Sequence, residues 1–156
     1  MDGSASNRLQ QILDPLVGAW EVTTRSGERT MSTFRVTFGW LDGRGLLVQR
    51  QEPPTYLVPE WVGAAPEWAD SVIGFDDYSE SYTVLYVDSR GVYRTYRMAL
   101  EGNRWTLESR PAADFHQRFG GTFSDDGRTI DGGWEASADG ETWSTDFDVT
   151  FRRLDD

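Results

Sequence analysis

The feature that most constrains this chain is a period-two alternation of apolar and polar residues, broken at short intervals by Asp-Gly and Gly-Asn turns. In a strand, such alternation puts the apolar side chains on one face. Tight turns between neighbouring strands make antiparallel hairpins. A chain built this way buries its apolar faces by pairing two sheets or by closing one sheet into a barrel. The last strand shows the pattern best: Trp143, Thr145, Phe147, Val149 and Phe151 alternate with Ser144, Asp146, Asp148, Thr150 and Arg152. The aromatic set is expected inside, because a one-residue slip would expose all of it.

The alternation predicts about ten strands, at 18–25, 30–40, 45–52, 71–77, 81–88, 92–100, 104–109, 115–124, 128–137 and 142–153. Nearly all are joined by short turns. The expected fold is therefore all-β, an antiparallel up-and-down barrel without free edges. A two-sheet sandwich with Greek-key crossings is the alternative. A short amphipathic helix over Asn7–Leu13, stopped at Asp14-Pro15, would form an N-terminal cap at 1–15. The whole chain, 1–156, reads as one domain.

The turns also predict registers. Asp42-Gly43 would pair Phe38 with Leu47, Val36 with Gln49 and Phe34 with Gln51. A type I turn with Gly91 as a left-handed bulge would pair Tyr86 with Arg94, Val84 with Tyr96 and Tyr82 with Met98, leaving Arg94 at an open end. Gly102-Asn103 would pair Leu100 with Trp105 and Met98 with Leu107. Asp126-Gly127 would pair Phe123 with Ile130, Gly121 with Gly132 and Phe119 with Trp134. Asp139-Gly140 would pair Ala136 with Trp143, Trp134 with Thr145, Gly132 with Phe147 and Ile130 with Val149. The pairs Gly120-Gly121 and Gly132-Gly133 would mark either a bent corner with close backbone approach under Phe147 or room for a ligand.

One stretch breaks the hairpin rhythm. Residues 53–70 carry four prolines and three large aromatics, Tyr56, Trp61 and Trp68. Long loops in compact domains are often lids or binding segments. This one is expected either to cover the barrel mouth or to plug it, with a helical turn after Pro59 or Pro66.

The face expected inside is not purely apolar. Gln49, Gln51, Tyr82, Tyr86, Tyr96, Gln117 and Thr145 share it with Trp20, Phe34, Phe38, Phe119, Trp134 and Phe147. Buried polar groups need partners. Either these side chains satisfy one another, or they face a cavity and a ligand with hydrogen-bonding atoms. Arg35 and Arg50 are expected on the outer face as cross-strand neighbours, with Glu52 to neutralise them. With inverted phase they would form an internal anion clamp.

Composition narrows the chemistry. There is no Cys and one His, so Cys-based metal sites, thiol nucleophiles and multi-His zinc sites are excluded. No Gly-x-Ser-x-Gly elbow and no Gly-rich phosphate loop is present. Asp76-Asp77, Asp125-Asp126 and Asp155-Asp156 read as solvated turn or tail pairs. A net charge of -11 disfavours nucleic acid and anionic membrane surfaces as partners. With neither a basic-then-apolar leader nor a long apolar run, the expected location is cytoplasmic, as a monomer or homodimer.

Gly18-Ala19-Trp20 matches the Gly-x-Trp that opens the first strand of the calycin superfamily. LVGAWEV, GWLDGRGLLVQRQE, IGFDD, YVDSRGVYRTYRMALEGNRW and QRFGGTFSDDGRTIDGGWEASADGETWSTDFDVTFRR together resemble a large bacterial family of lipocalin-like barrels described as a domain of unknown function. Nitrobindin and the fatty-acid-binding proteins are more distant relatives of that family. The resemblance implies a ten-stranded calycin barrel in which Arg152 or Arg153 covers Trp20 at the closed end. It implies no settled activity. Nitrobindin binds haem through a His, and the candidate here is His116, which by phase faces outward. The Gly-x-Trp-x-Gly-x-Gly start of nitrobindin is absent, since Glu21, Val22 and Thr23 follow Trp20.

The leading expectation is therefore a binding protein for a small, largely apolar or aromatic molecule, with no cofactor. The candidate contacts are Trp20, Phe38, Gln49, Gln51, Tyr56, Trp61, Trp68, Tyr82, Tyr86, Tyr96, Gln117, Phe119, Trp134, Thr145 and Phe147. The alternatives are a cofactor-free cyclase or isomerase of a polyketide- or terpenoid-like substrate, haem binding through His116, and a plugged interaction domain.

Overall fold

The computed structural model describes residues 3–110, 112 and 114–155. The Asp155-Asp156 pair and the 1–15 cap each include residues outside that set. An α-helix, α1 (Gly3–Leu13), runs into a 3-10 turn at Asp14–Leu16. The strands follow: β1 (Gly18–Ser26), β2 (Arg29–Trp40), β3 (Leu47–Gln51), β4 (Thr55–Tyr56), β5 (Ala69–Asp76), β6 (Ser81–Asp88), β7 (Tyr93–Glu101), β8 (Arg104–Ser109), β9 (His116–Phe123), β10 (Thr129–Ser137) and β11 (Ser144–Arg153). Each long strand pairs antiparallel with its sequence neighbours, and β1 pairs with both β2 and β11. The sheet thus closes into a ten-stranded barrel, with the two-residue β4 lying against β2. No helix among the described residues is long and apolar enough to cross a membrane.

Three of the turn-derived registers hold residue for residue: β6 with β7, β7 with β8, and β9 with β10. Gly91 takes the positive φ of 83° that its bulge requires. Two registers differ. On β2 and β3, Phe38 pairs with Gln49 and Val36 with Gln51, two residues from the expected register. The hairpin is wider than Asp42-Gly43 alone, because Leu41 N–H donates to the Leu46 carbonyl and Arg44 N–H to the Leu41 carbonyl. A shift of two keeps every face. It also removes the expected Arg35–Arg50 contact: Arg35 stands opposite Glu21, Arg50 stands opposite Thr37 and Asp70, and both arginines are exposed.

The second difference changes a face. Trp134 pairs with Phe147 but Glu135 pairs with Thr145, so Asp146 is an extra residue in β11. This bulge inverts the alternation above it. Phe147, Val149 and Phe151 point inward as expected, while Thr145 stands beside outward Glu135. Trp143 lies under the Arg118 guanidinium, 4.0 Å from its ring centroid, and Arg118 pairs with Glu135 on the outer face. Gly132 consequently sits opposite Val149, not Phe147.

The closed end is built from α1 and Trp20. Leu13 and Leu16 are buried there, with Leu9 and Ile12 packed against the core. The Trp20 indole donates to the Leu16 carbonyl at 2.9 Å. Arg153 covers the ring at 4.1 Å and donates to the Val17 and Pro15 carbonyls. Burial and the nearby Arg128 charge lower the pKa of this guanidinium. Tyr82 ties the helix to the barrel by donating to the Leu9 carbonyl at 2.9 Å.

Candidate functional site

Above the closed end the barrel is hollow. A cavity of about 450 Å3 opens at the other end, beneath the 53–68 loop and the β6–β7 hairpin. Its floor is Trp105, 2% exposed, whose ring meets Phe38, Phe119 and Phe151 edge-on with centroids 4.9–6.1 Å apart. Gly121 stands opposite Trp105 and leaves room for the Phe119 ring and Ile130, which a Cβ there would meet at 3.0 and 2.9 Å. The Trp105 indole N–H is buried without a hydrogen-bond partner among the described residues. Higher up, Phe34 and Val36, Ile73 and Val84, and Trp134 and Phe147 form apolar walls.

Polar groups cluster on one arc. The cross-strand row Gln49, Ser71, Tyr86, Arg94 runs over β3, β5, β6 and β7, and all four side chains line the cavity. The side chains of Gln49, Gln51 and Ser71 have no hydrogen-bond partner among the described residues. Tyr86 donates to Asp88 Oδ2 at 2.7 Å, and Arg90 grips the same carboxylate at 2.6 Å. Burial pushes the Tyr86 phenol pKa well up, and its bond to Asp88 adds to this. For buried Asp88, desolvation opposes ionisation, but bonds from Arg90 and Tyr86 outweigh it and hold the carboxyl at about 2. Thr24 and Ser32 satisfy each other on the adjoining β1–β2 wall at 2.6 Å.

At the mouth, Arg94 and Tyr96 both donate to Gln117 Oε1, at 2.8 and 3.0 Å. The Gln117 backbone is fixed by Ser109 Oγ at 2.9 Å. Arg94 also lies 5.5 Å from the Phe115 ring centroid. Burial raises the Tyr96 pKa, against the lowering effect of Arg94.

The 53–68 loop covers part of the mouth. Its 3-10 turn, Pro59–Trp61, points Trp61 at Phe147 with ring centroids 5.6 Å apart. The loop is latched on one flank: Tyr56 donates to the Pro66 carbonyl, Glu67 N–H donates to Ser89 Oγ, and Ser89 N–H donates to the Trp68 carbonyl. Arg29 and Glu60 form an exposed ion pair on its outer side.

Of the residues singled out from sequence, Gln49, Gln51, Tyr56, Trp61, Tyr86, Tyr96, Gln117, Phe119, Trp134 and Phe147 line this cavity. Trp20, Phe38 and Tyr82 are buried outside its lining, in the closed-end core. Trp68 is 46% exposed and does not line it, because β5 begins at Ala69 and turns the indole outward. Thr145 is turned out by the Asp146 bulge. His116 stands against Gly140 at the β10–β11 hairpin and does not line the cavity. Sequence reading passed over Ser71, Trp105 and Asp146. Ser71 and Trp105 carried a usable signal, since both alternate in phase with assigned inward residues; Asp146 did not.

Comparison with protein-family models gives no match. Comparison with curated proteins gives none either. Among solved structures, the crystal structure of Rv2717c from M. tuberculosis matches with a TM-score of 0.57 and 14% identity, over 93% of this chain and 96% of that one. At that identity the likeness shows the fold alone: this chain is an antiparallel β-barrel similar to Rv2717c.

Proposed function

We propose that this barrel binds a small, largely apolar or aromatic molecule in its cavity. One observation carries the reading: Gln49, Gln51 and Ser71 face a cavity of about 450 Å3 with no hydrogen-bond partner of their own among the described residues. Inward polar groups without protein partners call for a guest that supplies them. An apolar enclosure with a few placed polar groups is the usual chemistry of a small-molecule site. The Arg153–Trp20 stack at the closed end supports reading the barrel as calycin-like.

Trp61, Trp105 and Trp134 line the cavity, so their fluorescence reports occupancy. Titration with a broad panel of apolar and aromatic compounds is expected to quench it saturably. Native mass spectrometry of protein purified from its own host is expected to show a retained small molecule. No quenching by any compound, together with an empty protein by mass, would refute the reading.

A further inference from the structure

The cavity lining holds two arginines in different states. Arg90 is neutralised by Asp88, with Nη2 to Oδ2 at 2.6 Å. Arg94 has no carboxylate partner among the described residues. Its protein bond is to the neutral carbonyl oxygen of Gln117. That oxygen also accepts from Tyr96, which fixes the amide orientation and leaves the Gln117 NH2 without a partner among the described residues. The cluster therefore presents donors and a full positive charge to the cavity, with its acceptor already occupied. Asp146, a lining carboxylate with no ion-pair partner among the described residues, lies four strands away on β11 and is solvent-exposed.

A partly buried guanidinium resting on a neutral amide and an aromatic face is poised for a stronger acceptor. We propose that the cavity selects organic acids: compact aromatic or alicyclic molecules whose anionic oxygen group is held by Arg94 and the Gln117 amide, with the hydrocarbon body directed toward Trp105. The proposal rests on the cavity-binding reading above. A carboxylate or sulfonate suits the planar guanidinium fork, which takes two oxygens at once. Phe115, against Arg94, shields the ion pair from water on one side.

Two dyes test this. Anilinonaphthalene sulfonate and phenylnaphthylamine share one aromatic body and differ by a single anionic group. Their Kd values are measured by dye fluorescence on the wild type, Arg94→Gln, Arg94→Lys and Arg97→Gln, with thermal melts to verify folding. Arg97 carries the same charge on the outer face of the same strand. Arg94→Gln is expected to weaken the sulfonate roughly 10- to 100-fold, as for lost bonds to a charged group, and to leave the neutral dye within about two-fold. Arg94→Lys keeps the charge without the fork and should lose part of this. Arg97→Gln should leave the ratio of the two affinities within about two-fold.

An unchanged ratio in both Arg94 variants, or an equal change in Arg97→Gln, overturns the organic-acid proposal while neutral-dye binding leaves the cavity reading standing. If neither dye binds the wild type, both fall. Should Arg94→Gln not fold, the Arg94→Lys ratio decides.

Discussion

A Cβ added at Gly132 would lie 2.2 Å from the Gly120 carbonyl oxygen and 2.8 Å from the Gly121 Cα. Real Cβ contacts do not fall below 3.0 Å, so Gly132→Ala must drive β9 and β10 apart by at least ~0.8 Å. The obstacle is backbone inside a hydrogen-bonded ladder, which has no rotamer to change. Overpacking of this kind costs about 1–3 kcal/mol, and an immovable neighbour puts this site near the upper end. For a chain of this length, each kcal/mol lowers Tm by about 2–4 °C, so a fall of about 6–12 °C is expected. Gly120→Ala makes a nominally worse clash, 2.1 Å, but with the Arg104 guanidinium. That side chain can swing away, giving up its bond to Thr122 Oγ1 at 3.0 Å. The cost there is about 1 kcal/mol. Circular-dichroism melts and urea titrations of both variants give the comparison. Equal midpoints for Gly132→Ala and Gly120→Ala would show that strand proximity at this corner is not what requires glycine.

Asp88→Asn should lower stability by roughly 2 kcal/mol at neutral pH. Because the Asp88 carboxyl sits near 2 in the fold and near 3.9 when unfolded, its contribution is present above about pH 4 and lost as pH falls toward 2. Urea midpoints against pH should therefore fall less steeply in acid for the variant than for the wild type. Arg153→Ala removes the ring contact on Trp20 and both carbonyl bonds, and should cost about 2–3 kcal/mol in urea titration. Trp61→Ala removes the edge contact with Phe147 across the mouth. Release of bound phenylnaphthylamine, followed by stopped flow, should accelerate about 2- to 10-fold, with little change in Tm.

Most of the barrel was legible because its signals are local. A turn residue such as Gly91 and the alternation on either side of it specify a hairpin without reference to the rest of the chain. The errors arose where a turn was larger than its two signal residues. Widening the 41–46 hairpin moved the β2–β3 register by two, which spared every face and so kept Gln49 and Gln51 inside. At the 138–143 turn, Asp139 Oδ1 accepts the N–H groups of Glu141 and Thr142. These bonds support a longer connection, and the bulge that follows carries no local composition signal. Within the site, in-phase residues such as Tyr86 and Gln117 were readable from alternation. The partnerships that give them meaning were not, because Arg94 and Gln117 are separated by 23 positions. Trp68 failed for a related reason: a loop has no period from which to deduce a face.

The Asp146 bulge makes one wall of the barrel sensitive to chain length as well as to residue type. Below it, β11 faces Phe147, Val149 and Phe151 inward; above it, the parity is reversed and Trp143 lies on the outside. Deletion of Asp146 would join Thr145 directly to Phe147 and make the ladder with β10 regular. Thr145 would stay opposite Glu135 and Trp143 under Arg118, both on the outer face, while the strand below kept its pairing. What a single in-frame deletion takes away is the bend in β11 together with the Asp146 carboxylate on the cavity lining, a change that substitution at Asp146 cannot reproduce.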